Sequence, residues 1–153
     1  MKRVLVTGMS GVGKTSVLEV LRRRGYKAVD ADCDGLSGFD ENGEWEWNES
    51  RIQAALSTED AEVMFLSGTS IKMRRFLPQF EHVVLLSAPA EVMVQRLRTR
   101  TNNPYGQRPE EIEESLHHKQ SVEPILRTMA TIEIDTTPPL EDVVTAVLAH
   151  VEP

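Results

Sequence analysis

Cysteine is nearly absent from this chain. Cys33 stands alone, so no internal disulfide can form, and a reducing, cytoplasmic setting is expected. No apolar run approaches the roughly 20 residues that cross a bilayer, and no membrane partner is expected. The Met1-Lys2-Arg3 start leads into a short strand, too short an apolar stretch for a signal peptide. Repeats and low-complexity segments are missing. Positive charge is in deficit: 17 Lys and Arg against 24 Asp and Glu give a formal net charge of −7. That balance argues against a nucleic-acid partner held through phosphates. Any anionic ligand must therefore be held by locally placed cations. His117 and His118 have no cysteine or histidine partner at ligand spacing, which excludes a zinc-type site there.

What is present is ordinary for one globular domain: 153 residues, 40% hydrophobic and 27% charged. Near its start lies Gly8-Met9-Ser10-Gly11-Val12-Gly13-Lys14-Thr15, a complete G-x-x-x-x-G-K-[ST] phosphate-binding pattern. Val4–Thr7 before it reads as a buried strand, and Ser16–Arg24 after it as a helix stopped by Gly25. Strand, glycine turn and helix N-terminus together make an anion cradle. Its backbone N–H groups face phosphate oxygens, and the helix end adds positive potential. Gly8, Ser10, Gly11, Val12, Gly13, Lys14, Thr15 and Ser16 are the expected nucleotide contacts. Lys14 reaches the β- and γ-phosphates, and the Thr15 hydroxyl serves Mg²⁺.

Beyond the loop, short apolar runs alternate with helical patterns. Strands are expected at 27–30, 62–66, 82–86 and 131–135, and helices at 49–57, 71–76, 90–100, 109–129 and 139–150. Pro124 predicts a kink or break in the long helix. The alternation gives an α/β fold, a three-layer arrangement with a five-stranded parallel sheet flanked by helices. Ligands then lie beyond the C-terminal ends of the strands. Two segments stand outside the alternation: 34–48, polar and acidic with Trp45 and Trp47, and 101–108, rich in turn residues. Such loops carry substrate contacts or act as lids.

Several polar groups fall near the loop. Asp30 and Asp32 end the second strand, where alternation points both carboxylates to one side. Asp30 is the candidate Mg²⁺ partner and Asp32 the candidate base for an acceptor hydroxyl. No acidic residue ends the third strand. Ser67-Gly68-Thr69 follows it instead, either approaching substrate or simply turning the chain. Arg96 and Arg100 share a helix face and lead to the 101–108 segment, with Arg108 at its far side. Arginines there suit a transferring phosphoryl group. Thr136 and Thr137 follow the last strand, as a nucleotide-base loop or a helix cap.

These parts, in this order, resemble the small P-loop kinases of the nucleoside-monophosphate-kinase-like group, with a layout similar to shikimate kinase. The resemblance covers nearly the whole chain. It implies a P-loop NTPase fold in a single domain, 1–153, with an acceptor-side insertion at about 34–57 and a lid at about 101–109. It implies ATP and Mg²⁺, with Asp30 helping to hold the metal, Asp32 meeting the acceptor, and Arg100 and Arg108 as lid arginines. The activity implied is transfer of the γ-phosphoryl group to a small-molecule hydroxyl, by a monomer or weak homodimer. Two departures matter. A glycine-rich turn is replaced by Ser67-Gly68-Thr69, and the arginine expected two residues before the long-helix proline is Val122. A carboxylate acceptor so loses its anchor. The acidic 34–48 segment favours a neutral polyol, sugar-like or cationic acceptor, unless Arg51, Arg74 or Arg75 offsets it. A nucleoside monophosphate kinase would use those same arginines. A GTPase-like switch is disfavoured: Asp32-Cys33-Asp34-Gly35 matches D-x-x-G too soon after the loop, and no N/T-K-x-D motif exists.

Overall fold

A computed structural model describes residues 1–101 and 104–152. Five strands form one parallel sheet: β1 (Lys2–Thr7), β2 (Lys27–Asp30), β5 (Val63–Ser67), β6 (His82–Ser87) and β7 (Ile132–Asp135), in the spatial order β2-β5-β1-β6-β7. The expected three-layer α/β arrangement is the one observed. Val4, Leu5, Val6 and the whole of β5 are buried, as strands covered on both faces must be. The register sets Val6 beside Ser67 and Val84; β5 and β1 end within one residue of each other, and β6 runs two residues past the partner of Thr7. Helices α1 (Lys14–Arg23), α3 (Ala90–Thr99) and α6 (Leu140–Val151) pack their apolar stripes on the sheet. Val17, Leu21, Met93, Val144 and Val147 are fully or almost fully inaccessible.

Three expectations change in detail. The segment 34–48 is not a plain loop. Ser37–Phe39 (β3) and Trp45–Trp47 (β4) pair as an antiparallel hairpin, closed by a turn in which the Asp40 carboxylate accepts the N–H groups of Asn42 and Glu44. Helix α2 (Glu49–Ser57) follows, capped by the Asn48 side chain on the Arg51 N–H. The 71–76 segment is a 3₁₀ turn, Ile71–Arg75, capped by the Ser70 hydroxyl on the Lys72 N–H. The long helix divides into α4 (Pro109–Ser121) and α5 (Glu123–Met129), with the break at Val122. Proline at position 124 has no N–H for the preceding turn, so the helix restarts around it. Asn102 and Asn103 of the expected lid lie outside the described residues.

Candidate functional site

The glycine-rich loop turns at the C-terminal end of β1 and runs into α1. Gly11 adopts φ +87°, and a Cβ there would meet the Leu97 side chain and the Met93 carbonyl oxygen at 2.9 Å. The loop thus lies pressed on α3, in a conformation that favours glycine. Among the described residues, the N–H groups of Gly11, Gly13, Lys14, Thr15 and Ser16 have no hydrogen-bond acceptor. Residues 9–17 wall a cavity of about 340 Å³ together with Asp30, Asp32, Arg96, Arg100 and Thr136. A run of unpaired N–H groups at a helix N-terminus, beside a lysine, fits phosphate oxygens.

Lys14 is folded back on its own loop. Its ammonium donates to the carbonyl of Gly8 and, at 3.1 Å, to that of Met9. Burial lowers its pKa to about 8, while the Asp32 and Asp30 carboxylates pull it upward. Asp30 is buried. One of its oxygens accepts the N–H groups of Asp32 (2.9 Å) and Cys33 (3.1 Å), and the other faces the Thr15 hydroxyl at 3.4 Å. Strand β2 ends at Asp30, so strand alternation does not place Asp32; the turn pinned by Asp30 does. Asp32 is exposed and accepts the Trp45 indole N–H at 3.3 Å and the Ser37 hydroxyl at 3.4 Å. Among the described residues no group of three or more His, Cys, Asp or Glu could hold a metal alone. Thr15 and Asp30 fit Mg²⁺ in the other common manner, as few protein oxygens completed by phosphates and water.

Arg96 crosses the site. Its guanidinium donates to the Val12 carbonyl (3.1 Å), the Thr136 hydroxyl (2.7 Å) and the Thr136 carbonyl (2.6 Å). It therefore ties the phosphate loop to the turn after β7. Arg100 lines the same cavity and donates to the Tyr105 carbonyl. Three expected contacts are not brought there. Gly8 lines the neighbouring cavity instead, because its carbonyl turns to Lys14 and to the Thr69 hydroxyl. Arg108 is exposed at the N-cap of α4 and lines neither this cavity nor the next. Thr137 bonds Asp135 through its N–H (2.9 Å) and hydroxyl (2.8 Å), and Thr136, not Thr137, faces the cavity. Thr69 has a buttressing role. Its hydroxyl meets that of Thr7 at 2.9 Å and donates to the Gly8 carbonyl at 2.9 Å.

A second cavity, about 820 Å³, adjoins the first and shares Met9, Ser10, Lys14 and Asp32 with it. The hairpin supplies Glu44, Trp45 and Glu46, α4 supplies Glu114 and His118, and Tyr105 lies between. The Tyr105 hydroxyl donates to the Glu114 carboxylate; burial and that bond raise its pKa to about 12. Of the three arginines that the sequence offers against the acidic segment, only Arg74 lines this cavity. Arg75 holds Glu49 at 2.8 Å, and Arg51 donates to the Gly35 carbonyl at 3.0 Å. The contributions of Tyr105 and Glu114 were not legible in advance. The four-residue spacing of Glu114 and His118 was the available signal, since it puts both on one helix face.

Comparison with known proteins agrees with this architecture. The family described as AAA domain matches residues 4–117. Shikimate kinase from Acinetobacter baumannii, solved with shikimate, superposes with a TM-score of 0.71 at 22% identity, covering 99% of this chain and 93% of that one. A gluconokinase from Sinorhizobium meliloti 1021 superposes at 0.65 with 20% identity, covering 98% and 93%. A curated relative from Methylobacillus flagellatus, named nucleotide-binding protein, is 29% identical over 128 residues. That stretch is 82% of this chain but 45% of the relative, so the chain spans about half the length of the curated relative it matches. The fold is that of the shikimate-kinase-like P-loop proteins. No helix among the described residues is long and apolar enough to cross a membrane.

Proposed function

The chain belongs to the AAA domain family, and on that premise we propose that it is an ATP-dependent phosphotransferase acting on a small-molecule hydroxyl. The observation that carries this reading is the shared wall of the two cavities. Lys14 and Asp32 line both, so a nucleotide held by the loop and a second ligand beside it would meet at those side chains.

In this reading the loop amides and Lys14 hold the phosphates, and Arg96 and Thr136 close the nucleotide side. Thr15 and Asp30 would hold Mg²⁺, which when bound neutralises charge on the β- and γ-phosphates. Asp32, held by Trp45 and Ser37, orients the acceptor hydroxyl and takes its proton. Arg100 stabilises charge on the transferring group. The chain works as one domain in the cytoplasm, as a monomer or weak homodimer, with 34–57 forming the acceptor side and 101–109 the lid. A nucleoside monophosphate acceptor is disfavoured, because Arg51 and Arg75 are engaged elsewhere.

The test is an ATP titration followed by acceptor-dependent ADP release, with Lys14→Ala as the blank. Saturable ATP binding and ADP release that rises with an added alcohol support the reading. Failure of the wild type to bind ATP removes it. Steady ATP hydrolysis that no acceptor accelerates would favour a nucleotide-binding regulator.

A further inference from the structure

The second cavity is lined by two kinds of group, carboxylate and apolar, and together they define its occupant. The lining carries the carboxylates of Asp32, Glu44, Glu46 and Glu114, together with the half-exposed ring of Trp45. Among the described residues none of these carboxylates forms a salt bridge. Glu46 accepts the Ser70 hydroxyl and Glu114 the Tyr105 hydroxyl, both neutral donors that leave the carboxylate charge uncompensated. The basic side chains in the lining are Arg74, Lys14, which is bonded to the Gly8 and Met9 carbonyls and paired electrostatically with Asp32, and His118, one helical turn from Glu114. The lining also carries an apolar set, Met73, Val122, Ile125, Leu126 and Met129. Met73 and Leu126 are almost fully buried, whereas Ile125 is 46% exposed beside them.

We propose that this cavity takes an amino alcohol with an apolar body: an ammonium group against the carboxylates and Trp45, a hydrocarbon part against α5, and a hydroxyl at Asp32. The inference rests on the phosphotransferase reading and names its acceptor class. The volume, about 820 Å³, is in the range of pockets that enclose drug-sized ligands and leaves room for more than a small polyol. An ammonium between unpaired carboxylates and over an indole face gains from both, while a carboxylate or phosphate there is repelled. In the transfer, the acceptor hydroxyl oxygen bonds to the γ-phosphorus. The bond from that phosphorus to the β–γ bridging oxygen breaks, ADP leaves with the electron pair, and the hydroxyl proton passes to Asp32 and then to solvent.

Matched probes test the class. Phenylalaninol, 3-phenyl-1-propanol and 3-phenyllactate share a ring and a hydroxyl and differ in carrying a positive, no or a negative charge. Each is titrated calorimetrically into the full chain saturated with a non-hydrolysable ATP analogue. Transfer from ATP is followed by ³¹P NMR. Phenylalaninol is expected to bind at least about tenfold more tightly than the neutral alcohol, phenyllactate not to bind, and the phosphate ester of phenylalaninol to appear. In Glu44→Gln/Glu46→Gln the preference for phenylalaninol should fall to about threefold or less, while Trp45→Ala should weaken both phenylalaninol and the neutral alcohol. A nucleotide titration of each variant confirms that it has folded. Equal binding of the three probes, tighter binding of phenyllactate, or binding of none by nucleotide-loaded protein overturns the proposal and leaves the phosphotransferase reading standing. Failure to bind nucleotide removes that reading as well.

Discussion

The two cavities are built on opposite principles. The first takes nearly half of its wall from consecutive residues, 9–17, and offers a run of unpaired backbone N–H groups. The second gathers side chains from the hairpin, the 3₁₀ turn, α4 and α5, which lie far apart in the chain. A backbone cradle tolerates little variation, because its geometry depends on φ values and close contacts rather than on which side chains are present. A side-chain cavity can change its charge and shape without disturbing the strands beneath it. Under the proposed function the first serves the chemistry and the second the acceptor. Substitutions in one should alter rate or folding, and in the other, selectivity.

The largest effect expected under that rule comes from Lys14. Lys14→Ala is expected to lower acceptor-dependent ADP release by about 10²–10³-fold, the usual loss when one charge-stabilising donor is removed. It should not lower the melting temperature. Burial lowers the lysine from 10.5 to about 8 in the folded chain, so the ammonium form is a burden on the ligand-free fold. The unfolded chain then binds more protons between those values, and the wild type should gain stability as pH rises from about 8 to 10.5. The alanine variant lacks that gain. Thermal melts of both proteins across this window measure the difference, and parallel pH profiles would contradict the account of Lys14.

Gly11 tests the cradle through its shape. Gly11→Val places a β-branched side chain at φ +87°, against Leu97 and the Met93 carbonyl. A loss of about 2–4 kcal/mol in urea unfolding is expected, with loss of nucleotide binding. Next in size is Arg96→Ala, which removes the donors to Val12 and Thr136. A loss of about 2 kcal/mol follows from charge-assisted bonds of this kind, and ATP affinity should fall with it. If affinity falls with no change in stability, Arg96 contacts nucleotide rather than fastening the loop.

The same contrast explains what could be read in advance. The octapeptide, its flanking strand and helix, and the strand–helix alternation were legible because each is a local pattern. Asp30 was legible by position, though its use in pinning the turn to Asp32 was not, since backbone N–H partners leave no trace in residue types. The hairpin leaves a weak trace in the sequence: Asn42-Gly43 is a turn signal, but the strands beside it are only three residues long and too short for a clear alternation. The second cavity was legible only in its acidity. Whether Arg51, Arg74 or Arg75 offset that acidity depended on which of them had partners, and only tertiary contacts decide that.

Arg108 gives the smallest expected effect and separates sequence layout from geometry. By layout it is a lid arginine across from Arg100, on the far side of the turn segment. In the structure its side chain is exposed and lines neither cavity, while its own N–H is held by the Glu111 carboxylate at 3.3 Å. Arg100, by contrast, lines the first cavity and is half-buried. Arg108→Ala should therefore change stability by no more than about 0.5 kcal/mol, as for an exposed position without a packing role. Its effect on ADP release should stay within about twofold, whereas Arg100→Ala should cost at least about tenfold through lost stabilisation of the transferring group. Running both variants under saturating ATP compares them directly. Equal, large losses would mean that both arginines act at the phosphates during turnover, and that nucleotide binding draws the start of α4 toward the loop.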